Sequence, residues 1–170
     1  DPLSLSWCSF FHSSTSDDYL LVISQDADEQ VYITGYTKTM TFPTTPGVYQ
    51  PTYGGSIDVY VAKFASDGTT LLFSTFLGGS NWEMAYGVGV NPAKEIFIAG
   101  FGASTDFPTT AGSFQPTYGG GMVESFVSKL SADGSSLVYS SYLGGTNRDY
   151  LYDMQLSTGG EVFVTGYTLS

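Results

Sequence analysis

The chain is poor in positive charge: five Lys and Arg stand against sixteen Asp and Glu among 170 residues, a formal net charge of -11. Such a surface repels phosphate backbones and anionic membranes, which argues against nucleic acid as a partner and reads most simply as a solvated exterior. Cys8 is the only cysteine, so it has no internal disulfide partner and reads as a small apolar packing residue. His12 is the only histidine, which excludes a multi-histidine metal centre. No apolar run approaches the roughly 20 residues of a spanning helix, so no membrane insertion is expected. The tripeptides that start at Asn81, Asn91 and Asn147 lack the Ser or Thr of an N-glycosylation acceptor, leaving only O-linked sugar on the threonine-rich loops. The opening Asp1-Pro2, with neither a start Met nor a signal-peptide pattern, reads as a processed or excerpted chain.

Catalytic signatures are equally scarce. A Ser-His-carboxylate group would have to draw on His12 beside Ser13, Ser14 and Asp17, and no Gly-x-Ser-x-Gly elbow accompanies them. The expectation is that the chain is not an enzyme and carries no cofactor.

What the chain has is repetition. Phe42-Pro43-Thr44-Thr45 returns as Phe107-Pro108-Thr109-Thr110, and Gln50-Pro51-Thr52-Tyr53-Gly54-Gly55 returns as Gln115-Pro116-Thr117-Tyr118-Gly119-Gly120. A fixed period of that length marks a supersecondary unit copied in tandem, each copy needing neighbours to bury its apolar faces. Alternating apolar residues, with no sustained helical period, predict an all-β chain. Four strand-like segments recur in order, at 19–25, 31–37, 58–64 and 70–77, then at 84–90, 95–101, 124–130 and 136–143. Residues 5–11 match the fourth segment, and 150–156 and 161–167 match the first two, which makes eleven strands.

Finer features follow from the residues. The second segment is apolar on both faces, as in Val31-Tyr32-Ile33, Ile96-Phe97-Ile98 and Val162-Phe163-Val164, so both faces should be covered. Gly35, Gly100 and Gly166 follow in these strands, where a neighbouring backbone can come close. Asp67-Gly68 and Asp133-Gly134 predict hairpins between the third and fourth segments. The second and third segments are joined by about twenty residues, a length that implies a loop ordered by its own packing or a functional one. Lys63 and Lys129 hold equivalent places in the third segments and read as structural, on the pattern of edge or near-edge lysines that discourage unwanted pairing.

The stretches Tyr139-Ser140-Ser141-Tyr142-Leu143-Gly144-Gly145-Thr146, Val162-Phe163-Val164-Thr165-Gly166-Tyr167, Thr105-Asp106-Phe107-Pro108-Thr109-Thr110 and Phe126-Val127-Ser128-Lys129-Leu130 resemble the bacterial SBBP β-propeller repeat. The resemblance spans nearly the whole chain; it departs at His12-Ser13-Ser14, which stand where Gly78-Gly79-Ser80 stand in the next copy. It implies four-stranded antiparallel blades, about 2.7 of them here, short of the 4 to 8 of a closed ring. The blade divisions are 1–11 for the fourth strand of a preceding blade, 12–77 and 78–143 for two full blades, and 144–170 for the first half of a third. It further implies a secreted or cell-surface bacterial protein with no common enzymatic activity.

The incomplete ring leaves two explanations: an excerpt of a longer propeller, or edges completed by neighbouring copies through strand addition, giving an oligomer or filament. The expected function is therefore a structural or interaction scaffold, with a glycan- or peptide-binding module, or the non-catalytic part of a larger secreted enzyme, as the alternatives. Candidate interaction residues are Phe107, Pro108, Thr109 and Thr110 of the long loop, the aromatic residues Tyr53 and Tyr118, and Trp82, which aligns with Ser16 and Arg148 and so is no repeated core requirement. Trp7, by contrast, aligns with Phe73 and Tyr139 and reads as core. Asp17, Asp18, Glu83 and Asp149 sit where each Gly-Gly turn enters the next copy; they are too few for a calcium site and are expected to accept backbone hydrogen bonds.

Overall fold

The computed structural model describes residues 10–13 and 17–170. Among the described residues the chain is all-β, with no helix and ten strands in three antiparallel sheets. The first sheet runs β1 (Asp18–Gln25), β2 (Val31–Thr37), β3 (Asp58–Phe64) and β4 (Leu71–Leu77), in that spatial order. The second repeats the plan with β5 (Glu83–Val90), β6 (Ile96–Gly102), β7 (Glu124–Leu130) and β8 (Leu137–Leu143). The third holds only β9 (Asp149–Leu156) and β10 (Val162–Thr168). The expected strand over 5–11 lies largely outside the described residues; Phe10 and Phe11 are not in a strand.

The repeat extends to the register. Leu20 pairs with Gly35, Ala85 with Gly100 and Leu151 with Gly166, each beside a bulge in the ladder. These glycines are required by a close approach: an added methyl would lie 1.7 Å from the Tyr19 carbonyl oxygen, 2.1 Å from that of Met84 and 2.0 Å from that of Tyr150. The Asp-Gly hairpins join β3 to β4 and β7 to β8 as expected, with Gly68 at φ 67° and Gly134 at φ 71°, a left-handed conformation that glycine adopts without steric cost.

The sheets pack face to face. β5 lies against β1, β2 and β3, and β9 lies against β5, β6 and β7. Between the first and second sheets the core joins Tyr32, Val59, Val61, Phe73 and Leu77 to Ala85, Val88, Ile96, Ile98, Phe126 and Leu130. Between the second and third, Phe97 and Ala99 meet Leu151 and Met154. A further cluster of Val31, Ile33, Phe42, Tyr60, Phe64 and Phe76 lies on the other face of the first sheet, covered in part by Phe11.

One expectation needs correction. β2 and β6 are covered on both faces, but β10 is largely exposed, because among the described residues no further sheet covers its outer face and no third strand lies beside it. Lys63 and Lys129 lie on β3 and β7, each one strand in from a sheet edge. Lys63 is buried with its Nζ 4.9 Å from the centre of the Tyr32 ring, and Lys129 lies over Phe97 while pairing with Glu95 at 3.1 Å.

Candidate functional site

The long connections, residues 38–57 and 103–123, are ordered against the outer strands. The Thr45 amide donates to the Ser74 carbonyl and the Phe76 amide to the Gln50 carbonyl. In the second copy the Thr110 amide donates to the Ser140 carbonyl and the Tyr142 amide to the Gln115 carbonyl. Each loop thereby occupies backbone groups that β4 and β8 would otherwise present at a sheet edge.

This places the interaction residues read from the sequence. Phe107 is buried, its ring stacked 4.3 Å from that of Phe126 and its amide donating to the Tyr142 hydroxyl at 2.9 Å. Pro108 is half-buried beside it; the Thr109 hydroxyl donates to the Pro116 carbonyl, and the Thr110 hydroxyl accepts from the Ser140 amide. Tyr53 is half-buried with its ring edge-on to Phe76, and its phenol is pushed up to about 12 by burial, aided by the charges of Asp58 and Glu83. Tyr118 packs edge-on to Tyr142 and donates to the Gly121 carbonyl. Trp82 is half-buried and perpendicular to Phe101 at 6.1 Å. The exposed large hydrophobic side chains of the second loop are Phe114, which takes the place of Tyr49 in the first copy, and Met122.

A carboxylate stands at the start of the first strand of each sheet, half-buried at Asp18 and buried at Glu83 and Asp149. Asp18, Glu83 and Asp149, at the starts of β1, β5 and β9, accept from the amides of Ser13, Gly79 and Gly145 at 2.5, 2.8 and 2.8 Å. The acidic residues at these turns thus accept backbone hydrogen bonds as expected, whereas Asp17 pairs with Lys38 at 3.8 Å. Two further carboxylates went unread in the sequence. Asp58 and Glu124, at the starts of β3 and β7, accept from the amides of Gly54 and Gly119, each at 2.7 Å. The signal was present: Gly54, Gly79 and Gly145 each belong to a Gly-Gly pair and precede their carboxylate by four positions, and Gly119 does so by five.

At the first junction Asp58 and Glu83 come from different sheets and are almost completely buried. Gln50 ties the junction together: its amide nitrogen donates to Asp58 at 3.3 Å, and its carbonyl oxygen accepts from the Gly78 amide at 3.0 Å. Glu83 also accepts from the Ser104 amide at 3.1 Å. Burial pushes Asp58 up to about 6 against the hydrogen bonds from Gly54 and Gly55, and pushes Glu83 up to about 7, with the charge of Asp58 adding to the rise. The second junction repeats the arrangement with Gln115, Glu124, Gly144 and Asp149. Burial raises Glu124, whereas at Asp149 the effect of burial is overcome by hydrogen bonds from Thr168, Gly145 and Ser170 that hold it low.

The first junction has an additional tie. Lys94, in the turn between β5 and β6, reaches back to the turn between β1 and β2 and pairs with Asp28 and, at 3.8 Å, with Asp26. Gly160 takes the equivalent place in the third sheet, so this ion pair has no counterpart at the second junction.

Among the described residues, no three His, Cys, Asp or Glu side chains are grouped to hold a metal ion, and no helix is long and apolar enough to cross a membrane. His12 lies against the Ser13 carbonyl, and Ser14 and Ser16 are outside the described residues. An apolar cavity of about 420 Å³ opens between the second and third sheets, lined by Phe97, Val127, Lys129, Tyr139, Val162 and Val164. No family model and no curated protein matches this chain.

Proposed function

We propose that this chain is a non-enzymatic, SBBP-like β-propeller segment of a secreted or cell-surface protein, acting as a structural and interaction scaffold. In this reading each four-stranded sheet is one blade and the third sheet is the inner half of another. Its partners are further blades of the same longer chain or neighbouring copies. The observation that carries it is the junction: a loop glutamine, a Gly-Gly turn and two carboxylates recur between the first and second sheets and between the second and third. A repeated junction of this kind sets each sheet on its neighbour in the same way, and such repetition produces a regular array of exposed loops.

The test is to measure, on one sample of the native polypeptide, its denatured mass and the mass of the intact particle. The scaffold reading expects either a denatured mass well above 18.2 kDa or a particle made of several chains. A folded, solitary 18.2 kDa particle would overturn it, as would hydrolytic activity abolished by His12→Ala.

A further inference from the structure

The register shows that the two end surfaces of the described structure are the opposite halves of one junction. Leu20, Ala85 and Leu151 are equivalent, each opposite a glycine, and Ile23, Val88 and Met154 are equivalent, opposite Ile33, Ile98 and Val164. In the second and third sheets these residues face the preceding sheet and are at most 7% exposed, whereas Leu20 and Ile23 are 54% and 63% exposed.

The opposite surface follows the same rule. Tyr32, Phe97 and Phe163 are equivalent, opposite Ser24, Gly89 and Gln155, and Phe101 is equivalent to Tyr167, opposite Met84 and Tyr150. Tyr32 and Phe97 are covered by the following sheet, and Phe101 lies under Tyr150 and Tyr152, with ring centres 4.9 and 5.8 Å away. Phe163 and Tyr167 are 60% and 52% exposed. The chain therefore presents at one end the surface that covers, and at the other the first- and second-strand part of the surface that is covered, in a contact it already makes twice.

We infer that a second copy of this chain docks head to tail, its Leu20 and Ile23 surface on the Phe163 and Tyr167 surface of the first. This deepens the scaffold reading and rests on it. The occupant is a second copy because the only surface known to fit such an aromatic face is the equivalent one from the same repeat, and the new contact extends the series of sheet junctions. The two surfaces differ, so the contact is heterologous: it leaves one unused surface of each kind and propagates to a ring or an open filament. Leu20, Ile23, Phe163 and Tyr167 are uncharged while each copy carries -11, so added salt screens the repulsion between copies and strengthens the contact.

Sedimentation velocity on the 170-residue chain over a range of concentration and salt tests this. The expected result is a mass that climbs above 18.2 kDa with concentration, and further with salt. Ile23→Glu and Phe163→Glu each remain monomeric, and an equimolar mixture of the two forms a discrete dimer, because each variant keeps the surface that the other has lost. That recovery also shows both variants to be folded. A parent chain that stays monomeric under all conditions overturns the docking, as does a mixture that stays monomeric while the parent associates. The scaffold reading survives either result if the native polypeptide has a denatured mass well above 18.2 kDa.

Discussion

Asp58 and Glu83 converge on Gly78 from two different sheets: a methyl on Gly78 would stand 2.8 Å from the carboxyl carbon of Asp58 and 2.9 Å from a carboxylate oxygen of Glu83. Asp106, Tyr53, Tyr118 and Tyr142 are titratable groups near this pair, and among the described residues no salt bridge includes Asp58 or Glu83. Backbone amides and neutral side chains are what the two carboxylates lean on.

This arrangement gives stability a pH dependence of definite sign. Folding raises Asp58 from 3.8 to about 6 and Glu83 from 4.5 to about 7, so the native state holds protons that the unfolded chain releases. Their contribution is complete below about pH 4, declines as pH rises through about 7, and is flat above; each group taken alone is worth on the order of 3 kcal/mol. Urea midpoints between pH 4 and 8 should show the decline, and Glu83→Gln should flatten it. A Glu83→Gln curve parallel to that of the parent would contradict the assignment.

Gly100 tests the bulge. Alanine there places a methyl 2.1 Å from the Met84 carbonyl oxygen, which belongs to backbone and so must be moved by distorting the ladder. The expected loss is about 3 kcal/mol or more. Gly47→Ala meets nothing within 4 Å and suffers only its φ of +80°, costing about 1 kcal/mol. Thermal unfolding of the two variants should rank them in that order.

Phe107 separates packing from contact with partners. Removal of its buried ring by Phe107→Ala should cost about 3–5 kcal/mol, whereas Phe114→Ala, in the same loop and 79% exposed, should leave stability unchanged within about 0.5 kcal/mol. Equal urea midpoints for the two variants would remove Phe107 from the core.

Lys94 combines a favourable ion pair with an unfavourable backbone, its φ being +64° where the third sheet has Gly160. Lys94→Ala loses the pair and keeps the strain; Lys94→Gly loses the pair and relieves it. The glycine variant should melt a few degrees above the alanine variant. The reverse order would show that the left-handed conformation costs nothing there.

The features most legible in the sequence were those set by neighbours along the chain. Asp67-Gly68 and Asp133-Gly134 announce their hairpins because a left-handed residue is demanded within the turn itself. Gly35, Gly100 and Gly166 announced a close approach through their place in otherwise bulky strands. Less legible was the long loop: Phe-Pro-Thr-Thr looks like a presented motif, yet Phe107 is core and Thr110 clasps Ser140, because what a threonine hydroxyl meets 30 positions away is not written in its neighbours. The same holds for Asp58 and Glu124: their Gly-Gly spacing is written in the sequence, but the partners that bury them are not.

Strand identity, repeat order and turn positions were thus determined by the sequence itself, because alternation and turn chemistry act over a few residues. The tertiary structure alone decided which strand faces lie between sheets, that Asp58 and Glu83 share one buried junction, and that Leu20, Ile23, Phe163 and Tyr167 remain open. The physical reason is that burial and the pKa shifts it causes belong to the neighbours a residue meets in space. Equivalent side chains such as Phe97 and Phe163 therefore differ in burial because a sheet covers one and leaves the other open.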